Sequence, residues 1–184
     1  MTWNLPNIIT LLRMAMIPLF LFFLLSGIVP HGEIFALVVF ATAAISDGVD
    51  GWIARSRKQE TLFGKFADPI ADKLLIMAAL LAFVGLGEIW NVWVLIILAR
   101  EFLVMGLRLL AISHDVVISA SILGKLKTLS HICLVVVLLL NRFWEWGPVG
   151  DSVKNGFIYL AVALTLLSGF EYFYKSRSLF RTAS

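Results

Sequence analysis

The chain has one cysteine, Cys133, among 184 residues. That excludes an intramolecular disulfide framework and any cysteine-based zinc cluster. Charge is scarce too: 15% of residues are charged and 60% are apolar, with a mean hydropathy of +0.95. An average soluble domain carries about 25% charge, so this composition excludes an ordinary water-soluble globule. Fourteen Phe and six Trp exclude a disordered chain. Internal repeats and low-complexity tracts are missing. The start lacks both the basic region and the A-x-A pattern of a cleaved signal peptide, and Arg13 lies inside the first apolar segment. That segment is therefore expected to stay as a membrane helix. What is left is an all-α polytopic membrane protein, expected to form a single domain over residues 1–184.

Only one charge-free run, residues 14–32, reaches the length of a simple spanning helix, about 18 residues. The other apolar runs must include charged residues at one end. The pattern predicts six transmembrane helices, at 5–28, 34–54, 65–86, 89–111, 120–141 and 153–175. Breaks are expected at 27–32, 56–62, 85–87, 113–119 and 147–151, where Gly, Pro, Ser or charge interrupts the pattern. Arg55, Arg57, Lys58 and Lys65 flank the second loop; Arg108, Lys125 and Lys127 flank the fourth; Lys175, Arg177 and Arg181 lie in the tail. The odd-numbered loops hold Glu33, Glu88, Glu145 and Asp151, with Arg142 and Lys154 as their only cations. The positive-inside rule then places both termini in the cytoplasm, in a multi-pass protein of the cell (inner) membrane. The net charge of +3 and pI near 9.2 reflect cations meeting anionic lipid headgroups rather than nucleic acid.

Four aspartates fall in one window: Asp47, Asp50, Asp68 and Asp72. The first two are i,i+3 at the end of the second predicted helix, and the others are i,i+4 at the start of the third. Each spacing puts its pair on one helix face. Four carboxylates at membrane depth would cost about 10–14 kcal/mol on insertion scales, and at close range not all could stay ionised. A divalent cation removes both problems. An oxygen-only set without His or Cys suits a hard ion, Mg2+ first and Mn2+ or Ca2+ after it. Four carboxylates exceed what one Mg2+ takes from protein, which points to a two-metal site. Gly51, Ala54, Gly64, Ala67 and Ala71 leave room for close helix approach and a bulky substrate. The plain alternative is a set of aspartates that only solvates a water-filled vestibule.

The pattern D-x2-D-G-x2-A-R-x8-G-x3-D-x3-D, from Asp47 to Asp72 without a gap, resembles the signature of the CDP-alcohol phosphatidyltransferases. The resemblance implies six transmembrane helices, an active-site cavity open to the cytosolic side, a homodimer and two divalent ions held by the four aspartates. It implies that Asp72 also serves as general base, and that Gly51, Ala54 and Arg55 contact the CDP moiety. In such a site, charge stabilisation and in-line positioning carry phosphoryl-group transfer.

A second cluster runs Arg100-Glu101-Phe-Leu-Val-Met-Gly-Leu-Arg108, followed by Gly124-Lys125-Leu-Lys127-Thr128. Arg100 and Arg108 share a helix face two turns apart. Arg100, Arg108, Lys125 and Lys127 are expected around one cavity, as a site for a phosphate dianion; lipid snorkelling is the other reading for Lys127. A side-chain pair between the adjacent Arg100 and Glu101 is not expected. These motifs, with the opening Asn4-Leu-Pro6-Asn7-x-x-Thr10-x-x-Arg13, resemble the glycerol-3-phosphate-using branch of the family. That resemblance implies CDP-diacylglycerol and sn-glycerol 3-phosphate as substrates, phosphatidylglycerophosphate and CMP as products, and Asn7 and Thr10 at the CDP site. Inositol phosphate or phosphatidylglycerol as acceptor is the rival within the family, and a membrane cation transporter is the rival outside it. His31 and His114 read as solvated loop residues, His131 as a candidate for the acceptor cavity, and Cys133 as a small packing residue. Trp90, Trp93, Trp144, Trp146, Tyr172 and Tyr174 read as interfacial belts.

Overall fold

The computed structural model describes residues 5–57, 62–113 and 121–177, with side chains placed for 10–46, 70–71, 73–111 and 121–177. These form six α-helices: α1 (Leu5–Leu25), α2 (Gly32–Arg57), α3 (Leu62–Gly85), α4 (Asn91–Ser113), α5 (Ile122–Trp144) and α6 (Gly147–Lys175). All six predicted helices are present, with two corrections at their ends. The break expected at 27–32 is present, but α1 stops at Leu25 rather than at 28, and Gly27 (φ 63°) and His31 (φ 54°) turn the chain into α2.

The second correction is at the last hairpin. Residues 147–151 are the first turn of α6, not a break. Glu145 takes left-handed dihedrals and its N–H bonds Asn141 O at 2.9 Å, closing α5. Pro148 then opens α6, where its fixed φ suits the helix and its missing N–H has no partner to lose.

Helix contacts run round a closed ring, α1–α3–α4–α6–α5–α2 and back to α1, with α3 also touching α2 and α5 across it. The interior is apolar: Phe20, Phe40, Leu80, Phe83, Ile97, Leu134, Leu138 and Leu139 are buried in one cluster. Phe20 of α1 meets Phe40 of α2 with ring centroids 5.9 Å apart. The outside is apolar as well. Leu12, Val38, Leu81, Leu95, Leu129 and Leu166, one from each helix, are each more than half exposed. A bundle greasy on both sides needs a lipid solvent. By length and composition α5 and α6 can each cross a membrane; 23 residues of α5 span about 35 Å at 1.5 Å per residue. Thr10–Leu25, Gly32–Ser46 and Lys73–Gly85 are shorter apolar stretches.

Candidate active site

α2 ends with Asp47, Asp50, Gly51, Ala54 and Arg55, and α3 begins with Asp68 and Asp72 in its first half. The two helices touch and are joined by the short segment 58–61, so both aspartate pairs belong to one end of the bundle. The helical backbone gives the pairs the i,i+3 and i,i+4 registers expected of them. The side chains of these residues, of Asn7 and of His114 lie outside the described set. α1 runs antiparallel to α2 and starts at the same end. It brings Thr10 and Arg13 there, both 1% exposed.

The cations divide into two groups. A small cavity of about 30 Å3, room for one or two waters, is lined by Lys73, Glu101, Lys127, Thr128 and His131 with Ile76, Met77 and Ile97. Lys127 alone of the four expected cations lines it. Glu101 is the centre of the charge: its Oε1 meets Lys127 Nζ and accepts from Arg100 Nη1 at 3.2 Å. The pair between neighbours Arg100 and Glu101 corrects the sequence expectation. Their Cβ atoms do diverge, but a long guanidinium reaches round the helix, and burial leaves it no water to prefer. Lys127 is buried by this contact rather than snorkelling to a headgroup. His131 Nε2 lies 2.9 Å from Thr165 Oγ1, and that hydroxyl donates its only proton to Ala161 O at 2.7 Å.

Arg100 and Arg108 gather at Tyr172 of α6 instead. Their guanidinium carbons stand 5.4 and 5.6 Å from the ring centroid, and Arg108 Nη2 donates to Tyr172 Oη at 3.2 Å. Tyr172 is buried at 5% exposure, which overturns its assignment to an interfacial belt; Tyr174, Trp90, Trp144 and Trp146 are exposed. Lys125 is exposed at the start of α5, where Ser121 caps the helix by accepting from Gly124 N at 3.0 Å.

Sequence reasoning missed Lys73, Thr165 and Tyr172. The signal was available: Ile158, Ala161, Val162, Thr165, Ser168, Gly169 and Tyr172 recur at helical spacing and form the buried stripe of α6. Lys73 follows Asp72 directly inside an apolar helix.

Residues 3–167 match the description of the CDP-alcohol phosphatidyltransferases. The chain belongs to the CDP-alcohol phosphatidyltransferase family. It is 37% identical over 195 aligned residues, covering 99% of this chain and all of the relative, to the CDP-diacylglycerol–glycerol-3-phosphate 3-phosphatidyltransferase of Bacillus subtilis. A Rickettsia bellii protein of the same name is 35% identical over 96% of this chain and 97% of its own length. A Mycobacterium tuberculosis protein named "Probable phosphatidylglycerophosphate synthase" is 42% identical over 92% of this chain and 79% of its own. The family match spans both the aspartate helices and the cationic cluster of α4 and α5. As a member of this transferase family the chain is an enzyme of the phosphotransferase type, and its apolar exterior makes it a membrane protein.

Proposed function

We propose that this enzyme transfers the phosphatidyl group of CDP-diacylglycerol to sn-glycerol 3-phosphate, giving phosphatidylglycerophosphate and CMP. One observation carries the reading: relatives named for that reaction match almost end to end. A hydroxyl oxygen of the acceptor forms the new bond to phosphorus, the bond from phosphorus to CMP breaks, and Asp72 takes the hydroxyl proton. Arg100, Arg108, Lys125 and Lys127 bind the acceptor phosphate, while Gly51, Ala54, Arg55, Asn7 and Thr10 bind the CDP half of the donor. The family depends on divalent metal, and the donor set of Asp47, Asp50, Asp68 and Asp72 fits two hard cations, Mg2+ with Mn2+ as a substitute. Bound there, the ions would neutralise charge on the pyrophosphate and the CMP leaving group. The chain works as one six-span domain and as a homodimer. Its aspartate end and both termini face the cytosol, as the distribution of basic residues supports.

The test is CMP release by purified protein from CDP-diacylglycerol with sn-glycerol 3-phosphate, inositol phosphate or phosphatidylglycerol as acceptor. Glycerol 3-phosphate is expected to be fastest, and a faster rate with inositol phosphate would reassign the acceptor. Asp68→Asn and Asp72→Asn should each lose nearly all activity at saturating Mg2+. Retention of more than about a tenth, a loss under ~1.4 kcal/mol, would remove that residue from the metal site.

A further inference from the structure

Tyr172 has no role in the chemistry above, yet three helices converge on it. Its ring lies under both Arg100 and Arg108 of α4, at 5.4 and 5.6 Å. The two arginines are eight residues apart, about 12 Å along a helix, so no α4 side chain alone could set both. Gly124 of α5 closes the third side; a Cβ there would stand 3.5 Å from Tyr172 Cε2 and 3.7 Å from Oη. One turn before the tyrosine, Gly169 lets the Arg100 stem cross α6: a Cβ there would come within 3.1 Å of Arg100 Cγ. Arg100 is 9% exposed, and its Nε and Nη2 have no hydrogen-bond partner among the described residues. A buried guanidinium with spare donors is costly to leave in one place. The π face of Tyr172, together with the single bond to Glu101, is what holds it there. Arg108 is exposed and would otherwise sample many rotamers. The bond to Tyr172 Oη, at 3.2 Å, favours the rotamer that reaches it.

We propose that Tyr172 is a positioning residue for the acceptor, an aromatic platform that aims the Arg100 and Arg108 guanidinium groups at the phosphate of glycerol 3-phosphate. The proposal rests on the reading above that these arginines bind that phosphate. Tyr172 touches no substrate itself; it lowers the ordering that the two arginines must undergo when the anion arrives.

The experiment compares Tyr172→Phe, Tyr172→Leu, Arg108→Ala and the double variant Tyr172→Phe/Arg108→Ala in the full-length protein. KM for glycerol 3-phosphate, KM for CDP-diacylglycerol and kcat are measured separately by CMP release. Tyr172→Phe keeps the ring and the packing and loses only the bond to Arg108. It should raise KM for glycerol 3-phosphate about 3- to 10-fold, the size of one net hydrogen bond. KM for CDP-diacylglycerol should stay within about twofold, and kcat should change less than KM. Tyr172→Leu also removes the ring, and the rise should grow to about 10- to 50-fold. The double variant should be no worse than Arg108→Ala, because the bond is already gone. Additive losses in the double variant would overturn the proposal. So would equal changes in both KM values for Tyr172→Phe, which would mean that the tyrosine only supports the fold. If Arg108→Ala raises KM for glycerol 3-phosphate and Tyr172→Leu does not, the platform fails while the acceptor reading stands. If Arg108→Ala leaves that KM unchanged, the acceptor reading itself fails.

Discussion

Two ionic clusters use the same residue types at different places in the bundle. One is buried among α3, α4 and α5, where Glu101 holds Arg100 and Lys127 with side chains 7–10% exposed. The other lies at the opposite end from the aspartates, where α2 and α6 begin and α5 ends, around a polar cavity of about 550 Å3. There Arg142 joins Glu33 at 3.2 Å to Glu88 at 3.6 Å, and Lys154 joins Glu88 at 2.9 Å to Asp151 at 3.0 Å. In this second cluster every cation has two carboxylates, and the Arg142 side chain is 33% exposed. It ties helix ends together and calls for nothing more. In the first, two cations share one carboxylate. Among the described residues that leaves positive charge in excess, in the place where an anionic substrate would balance it. Charge balance and burial, rather than residue type, separate a clasp from a site.

The largest expected effect comes from breaking the buried cluster. Glu101→Ala leaves Lys127 and Arg100 without their carboxylate inside the bundle. Removing one partner of a buried pair costs about 3–5 kcal/mol, to be read as a fall in thermal unfolding temperature of the detergent-purified protein. Glu101→Leu/Lys127→Met replaces the pair by apolar groups and should recover only the Lys127 share of that stability, because Arg100 still lacks its carboxylate. Its activity with glycerol 3-phosphate should stay low, because a proposed phosphate ligand is gone. A cost below about 1 kcal/mol for Glu101→Ala would mean that water reaches the pair, and the contrast between the clusters would disappear.

The far cluster should respond less. Arg142→Ala removes the link between Glu33 and Glu88, yet all the groups freed are within reach of water. A loss of about 1 kcal/mol is expected, falling further in high salt. KM for either substrate should not move. A threefold rise in KM for glycerol 3-phosphate would show that the far end is coupled to the acceptor site.

The sequence makes the six helices legible because hydrophobic runs and turn residues report local preferences, which tertiary contacts here leave in place. The aspartate pairs are legible for the same reason, as fixed spacings on single helices. What escapes is anything settled between helices. Arg100, Arg108, Lys125 and Lys127 look like one group along the chain, but α6 draws the two arginines to Tyr172 and α3 closes over Lys127. Tyr172 and Tyr174 are two residues apart and look alike, and two residues on a helix amount to about 200° of rotation. That rotation buries one and exposes the other. The adjacent Arg100 and Glu101 pair because their surroundings leave no better partner, a fact about burial that spacing rules do not carry.

The smallest effect tests burial directly, since α6 repeats the same chemistry on its outer side. Arg177 stands over the Tyr174 ring at 4.5 Å, closer than either arginine stands to Tyr172. If distance set the strength, this pair would be the stronger one. Tyr174 is 57% exposed, however, and Arg177 is exposed and lies beyond the end of α6. Water competes for the guanidinium there, and holding a free side chain over the ring costs rotamer entropy. A double-mutant cycle on Tyr174→Ala and Arg177→Ala, read by unfolding in neutral detergent, should give a coupling of at most about 1 kcal/mol. Neither single variant should alter KM for glycerol 3-phosphate. In a membrane the coupling should shrink again, because anionic headgroups near the chain end offer Arg177 another partner. A coupling of about 2 kcal/mol or more, the magnitude of a desolvated pair, would show that the aromatic contact itself, and not its burial, gives Tyr172 its hold on α4.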